Sequence, residues 1–310
     1  MTAHIRPTLS ELWPLAKQSV KSWSDDYAPS MGAALAYYTV FSLAPLLLIV
    51  IAIAGLVYGE DAARGAIFTQ ISGLVGAEGA TAVQGLLKSV NKPSESIVAT
   101  IIGICTLLLG ATTVFGELQD ALNRIWRAPA LVNQGGVWKL LRRRLLAFGM
   151  ILTIGFLLIV SLVLSAALAV IGRFLGPGFF GWEILLQVVN FAVSFGVTTF
   201  LFAMIYKIMP RVHIAWRDVW LGAAVTSLLF SIGKFCIGLY LGKSSVASGF
   251  GAAGSLAVLL VWVYYSTQIF LLGAEFTWVY SNRFGSRRNV ATDEAPAAAV
   301  PARAAEPSAA

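Results

Sequence analysis

From Tyr27 to Gly59 the chain carries no charged side chain, and that stretch is long enough to cross a bilayer as one helix. A spanning helix needs about 20 mostly apolar residues to cross about 30 Å of hydrocarbon. Lipid offers the backbone no hydrogen-bond partner, so each segment must satisfy its own polar groups. Comparable stretches recur along the chain. Spans are expected at about 38–59, 97–115, 145–171, 184–206, 219–241 and 252–274. A barrel is excluded, because the runs lack two-residue alternation and exceed the roughly 10-residue segments of membrane strands. The expected fold class is all-α: a polytopic membrane helical bundle of six transmembrane helices with amphipathic surface helices. Composition agrees, with 58% hydrophobic and 12% charged residues, the latter about half the share of a soluble domain.

The net charge of +7 does not imply nucleic acid, because the cations fall on one side of the expected membrane. The N-terminal segment has Arg6, Lys17 and Lys21. The loop after span two has Arg124, Arg127, Lys139, Arg142, Arg143 and Arg144. The loop after span four has Lys207, Arg211 and Arg217, and the tail has Arg283, Arg287, Arg288 and Arg303. The opposite loops hold only Arg64, Lys88, Lys92, Arg173 and Lys243. Lys and Arg accumulate in cytoplasmic loops, so both termini are expected in the cytoplasm. The start has no apolar run of signal-peptide type, which leaves the first span to act as the insertion signal.

The chain divides into an N-terminal segment (1–26), a membrane domain (27–283) and a tail (284–310). In the first, Leu9, Leu12, Trp13, Ala16, Val20 and Trp23 form an amphipathic stripe suited to the inner leaflet surface. The external loop 60–95 carries two more: Ile67, Ile71, Leu74 and Val75, then Val83, Leu86, Leu87 and Val90. These predict short helices that lie on the outer surface or cap the bundle. The Ala/Pro-rich tail is expected to be disordered.

Polar groups at membrane depth are the best pointers to function. Lys234 lies inside span five, and matching depths bring Asn190 with Ser161 or Ser165 near its level. Glu183 and Gln187 lie within reach of a long lysine. One expectation is a cationic site for an anionic headgroup or solute; the plainer alternative is a lysine that snorkels or pairs with Glu183. A second cluster, Glu117, Asp120, Asn123 and Glu275, sits at the inner ends of spans two and six. It reads as a cytoplasmic polar mouth, or as an elbow held by carboxylate–arginine pairs. Cys105 and Cys236 lack a Cys or His neighbour and read as small buried hydrophobes. His4 and His213 show no metal-ligand spacing. No metal, cofactor or catalytic set is expected. Gly238 and Gly242 form a GxxxG, whose default use is close helix packing. Trp126, Trp138, Trp182, Trp262, Tyr264 and Trp278 suit interface belts. Pro45 and Pro210 are not matched as in inverted repeats.

The segments GAALAYYTVFSLAPLLL, ALNRIWRAP, GAAVTSLLFSIGKFCIGLY and GSLAVLLVWVYYSTQIFLLGAE together resemble the YihY/BrkB family of bacterial inner-membrane proteins, over roughly Trp23 to Arg283. SGFGAAGS departs from the family, with Phe250 where a Tyr is expected. The resemblance implies a multi-pass inner-membrane protein. The family is named for a virulence factor linked to serum resistance, some members are suspected of moving lipids or small solutes, and an older label is ribonuclease BN. The expected function is export or flipping of a lipid or small anionic solute, with membrane lipids as partners. The alternative is a non-transporting scaffold or assembly factor; a homo-oligomer fits either. A ribonuclease is remote, because the gathered carboxylates or histidines of a metal nuclease are missing. No GxxxxGK[ST] loop occurs, so active transport would draw on an ion gradient or a partner ATPase, and passive flipping on neither.

Overall fold

A computed structural model describes residues 9–59, parts of 61–87, 113–129, Gly149, 182–243 and 254–288. Among these residues every regular element is a helix. The long ones are α1 (Leu9–Asp25), α2 (Ala28–Tyr58), α3 (Trp182–Ile208), α4 (Trp216–Lys243) and α5 (Gly254–Arg283). Residues 113–125 form a further helix. Three stretches among the described residues are long and apolar enough to cross a membrane: Val188–Ile208, Trp216–Tyr240 and Leu256–Arg283. The spans expected at 184–206 and 219–241 fall on α3 and α4. The first expected span, 38–59, is the later part of α2, which begins at Ala28. The last, 252–274, belongs to a helix that runs on to Arg283. Spans 97–115 and 145–171 lie outside the described residues, apart from helical 113–115 and Gly149. The tail beyond 288 also lies outside them.

The helices form a row, α3 beside α4, α4 beside α5 and α5 beside α2, with α1 laid against α5. The α4–α5 seam is built on two glycine–threonine pairs. A Cβ on Gly222 would stand 1.8 Å from Thr277 Oγ1, and one on Gly273 would stand 2.0 Å from Thr226 Oγ1. Each helix thus carries Gly-x-x-x-Thr, and the antiparallel crossing sets each threonine into the other's glycine. Small residues let backbones approach where lipid gives no hydrophobic drive. The threonine hydroxyls donate to carbonyls one turn back, Thr226 to Gly222 (2.8 Å) and Thr277 to Gly273 (2.7 Å). Those same hydroxyl oxygens are the threonine atoms nearest the facing glycines. The buried Tyr206 of α3 donates to the Phe270 carbonyl (2.7 Å) and meets the Thr226 hydroxyl (3.1 Å), which ties three helices together.

Antiparallel neighbours gather the α2 start, the end of the 113–125 helix, the α3–α4 turn and the α5 end at one end of the bundle. Leu122, Ile125, Trp126, Tyr206, Ile214, Leu271 and Ala274 form one core there. At the opposite end Val83 is buried with Leu47, Leu259 and Val263, and Ile67, Ile71 and Leu87 pack against them. Ile67, Ile71, Val83 and Leu87 of the loop stripes thus pack on this end of the bundle; Leu74, Val75, Leu86 and Val90 lie outside the described residues.

Three expectations need correction. Cys236 is exposed, and Cys105 lies outside the described residues. A span that is apolar all round carries no phase, so its sequence does not say which residues face protein and which face outward. The GxxxG glycine Gly238 is likewise exposed, with nothing within 4 Å of an added methyl; the seam uses Gly222 and Gly273 instead. Trp126, expected in an interface belt, is fully buried in the core. On α1 the expected stripe is split: Leu12, Trp13, Ala16 and Val20 are exposed, whereas Trp23 is half-buried against the core. The helix rests on α5 through Leu15, packed with Val279 and Phe284. That arrangement leaves the exposed part of the stripe available to a membrane surface.

Candidate functional site

The first site begins where the α3–α4 seam opens. Phe202 meets Phe230 across it, ring centroids 5.7 Å apart. Thr198, Ser194 and Asn190 lie one, two and three turns beyond Phe202 along α3. Lys234 lies one turn beyond Phe230 along α4. Residues four apart drift about 40° around a helix, and both rows turn in the same rotational sense, so the α3 row and the α4 row leave the seam toward different faces. Exposure follows: Thr198 is half-buried, while Ser194, Asn190 and Lys234 are exposed. Along α4 the series Ser227, Ser231, Lys234 runs from buried to half-buried to exposed. Thr198 donates to the Ser194 carbonyl and Ser231 to the Ser227 carbonyl, both at 2.8 Å. Asn190 and Lys234 each keep an interaction of their own. Flanking the two rows are exposed Val188, Phe191, Leu228, Ile232 and Phe235, which suit lipid tails. Glu183 and Gln187 belong to α3, but their side chains lie outside the described residues, as do Ser161 and Ser165.

The second site is the gathered end of the bundle. Glu275 is fully buried on α5, close to the Asp26 side chain. Asp26 acts on it most strongly among charged groups, followed by Arg127 and Asp25. Both flanking segments are held in unusual backbone. Arg127 has φ 49° and Tyr27 has φ 57°, the left-handed region that costs an ordinary residue about 1 kcal/mol. Arg127 ends the 113–125 helix in a Schellman turn: its N–H bonds the Arg124 carbonyl (3.0 Å) and that of Ala128 bonds the Asn123 carbonyl (2.8 Å). Pro129 follows and stops the helix. The turn sends the Arg127 guanidinium over the Trp278 ring, 4.2 Å from its centroid. Arg124 lies over Tyr27 at 5.3 Å. Tyr27 is in turn the elbow that ends α1 and starts α2.

Of the expected cluster, the structure brings Glu275 and Asn123 into this end. Asn123 Oδ1 accepts from the Arg211 N–H at 2.9 Å. Gln119 donates to the Met209 carbonyl at 3.1 Å. Glu117 is half-buried and Asp120 exposed, both further back along the 113–125 helix. Sequence reasoning missed Asp26, Arg127 and Trp278 as its companions. It also missed Asp218, buried in the first turn of α4, which accepts from Ser286 N (2.8 Å) and Oγ (2.7 Å) and pins the turn after α5. An acidic residue in a first turn is a helix-start signal, and an Ala-Pro pair after a helical run is a stop signal; both were available. Among the described residues no group of His, Cys, Asp and Glu could hold a metal ion.

Residues 19–298 match the family described as virulence factor BrkB. Curated relatives include a UPF0761 membrane protein of Stenotrophomonas maltophilia, 26% identical over 82% of this chain and 57% of its own length. Another, from Pseudomonas aeruginosa, is 27% identical over 86% of this chain and 62% of its own. A third, from Tolumonas auensis, is 26% identical over 57% of this chain and 56% of its own. The chain therefore spans 56–62% of the length of these relatives. No solved structure matches it.

Proposed function

The chain belongs to the virulence factor BrkB family of membrane proteins, and from that premise we propose that it lies in the bacterial inner membrane with both termini in the cytoplasm and exports or flips a lipid or small anionic solute. The observation that carries this is a set of exposed polar side chains at membrane depth, Ser194 and Asn190 in a row on α3 and Lys234 on the neighbouring α4. Polar side chains at membrane depth are rare and mark pathways that something polar uses. A headgroup passing these side chains, with its tails left in the bilayer beside Phe191 and Phe235, is such a user. The back-bonded hydroxyls of Thr198 and Ser231 make those positions tolerable without substrate. Lys234 supplies the charge that favours an anionic headgroup.

The test is flipping in vesicles. Purified protein is reconstituted with fluorescent phosphatidylglycerol, and label on the outer leaflet is bleached by dithionite. Protein-dependent flipping carries bleaching past the half-label plateau. Lys234→Met should slow that phase by about tenfold, the equivalent of about 1.4 kcal/mol of transition-state contact. Lys234→Arg should keep part of the rate, and both variants should melt as the wild type does in detergent. A plateau at half the label with wild-type protein defeats the flipping proposal and leaves the scaffold role standing. A full rate in the Met variant removes Lys234 from the track.

A further inference from the structure

Close to the second site, but separate from Glu275, four buried polar atoms lack a hydrogen-bond partner. They are Asn123 Nδ2, Trp126 Nε1, Ser281 Oγ and Arg287 Nε. The fold brings their residues together. Arg287 lies with its guanidinium 6.0 Å from the Trp126 ring, and its own N–H bonds the Ser281 carbonyl at 3.1 Å. Asn123 precedes Trp126 by three residues, which places both on one helical face. Trp126 and Ser281 are fully buried. The chemistry is one-sided: an indole N–H, an amide NH2 and a guanidinium Nε–H can only donate, and the serine hydroxyl can donate as well. Asn123 has already committed its acceptor Oδ1 to Arg211. Asp218, the carboxylate on the facing start of α4, is taken by Ser286. Buried donors without acceptors cost about 1–3 kcal/mol each. A ligand with several acceptor oxygens, no donors and negative charge matches donors of this kind. We propose that this corner binds a phosphate group, either free or on a lipid headgroup, with Arg287 as the counter-charge and Trp126, Asn123 and Ser281 as neutral donors. The site stands independently of any flipping activity.

Melting of the full-length protein in detergent tests this, because a ligand that binds only the folded state raises the melting point in proportion to RT ln(1 + [L]/Kd). Two titrants are compared, inorganic phosphate and short-chain phosphatidic acid, against sodium chloride at matched ionic strength and short-chain phosphatidylcholine. A saturable rise with phosphate identifies a free-anion site. A rise with phosphatidic acid alone identifies a lipid phosphate. Either supports the proposal if it depends on the donors. Asn123→Asp keeps the bond to Arg211 and removes the donor, Trp126→Phe keeps the ring and removes the N–H, and Arg287→Gln removes the charge. Each should raise the apparent Kd by about tenfold or more, and Arg287→Lys should restore part of the loss. No saturable rise with either titrant, or a rise unchanged in Asn123→Asp and Arg287→Gln, overturns the site; buried water then serves these donors.

Discussion

Replacing Gly222 by alanine tests the α4–α5 seam directly. The added methyl would stand 1.8 Å from Thr277 Oγ1 and 2.7 Å from both Cβ and Cγ2 of that residue. Ordinary contact begins near 3.4 Å, so the groups must separate by about 1.6 Å. Thr277 cannot swing aside cheaply, because it is β-branched within a helix and its hydroxyl is bonded to Gly273. The helices themselves must move, and the reciprocal Gly273–Thr226 contact moves with them. Overpacking of this kind costs about 1–3 kcal/mol or more. Alanine returns at most about 1 kcal/mol through helix propensity. The net expectation is a loss of about 2 kcal/mol, or a drop of about 4–8 °C in melting temperature for a chain of this size. Thermal unfolding in detergent, followed by helical circular dichroism, reads it. Gly238→Ala is the control, since nothing lies within 4 Å of its new methyl; it should melt at or slightly above the wild type. Thr277→Ala in the Gly222→Ala background should restore only part of the loss, because the two Cβ atoms still crowd each other. If Gly222→Ala melts like Gly238→Ala, the seam does not lie where we place it.

Tyr206→Phe should cost about 1–2 kcal/mol, because the Phe270 carbonyl and Thr226 lose their shared hydroxyl in a dry core; an unchanged melting curve would mean that the hydroxyl is dispensable. Arg127→Gly relieves the left-handed backbone strain but strips Glu275 of its nearby guanidinium, so it should lower stability by about 1–2 kcal/mol. Adding Glu275→Gln should then recover most of that loss, and failure to recover would show that the two residues are not coupled. For orientation, reporter fusions at Gly136 and the tail should read as cytoplasmic and those at Gly79 and Gly178 as external; a cytoplasmic signal at Gly79 contradicts the charge asymmetry of the loops.

Much of the architecture is legible in the sequence where charge marks a boundary. α3 and α4 begin and end near the limits set by their flanking Glu, Lys, Arg and Asp residues. The same rule misled at α5, whose helix continues through Glu275. A carboxylate usually marks the edge of a span, but this one is fully buried beside Asp26 and Arg127. Faces were less legible than limits. Because the spans are apolar all round, nothing local distinguishes Gly222 from Gly238 or a core Trp126 from a belt tryptophan. Those assignments depend on which helix lies alongside. Lys234 and Asn190 could be singled out by rarity alone, whereas the row that joins Asn190 with Ser194 and Thr198 on α3 needed the Phe202–Phe230 contact to fix its phase. Asp26, Arg127 and Trp278 come from three distant segments, and no spacing in the chain connects them.

The docking of α1 on α5 sets an order of assembly. Leu15 leaves the ribosome early, yet Val279 and Phe284, against which it packs, are among the last membrane-domain residues to be made. During synthesis α1 has no protein surface to rest on, and its Leu12–Trp13–Val20 face can keep it at the bilayer surface until α5 arrives. The Asp26–Arg127–Glu275 grouping also closes only at that moment, since Glu275 arrives with α5. A chain arrested before Gly254 would hold α2 and α4 without the helix that lies between them. The last helix thus acts as the closing piece of the bundle, and a quality-control protease could distinguish finished from unfinished molecules by whether α1 is clasped.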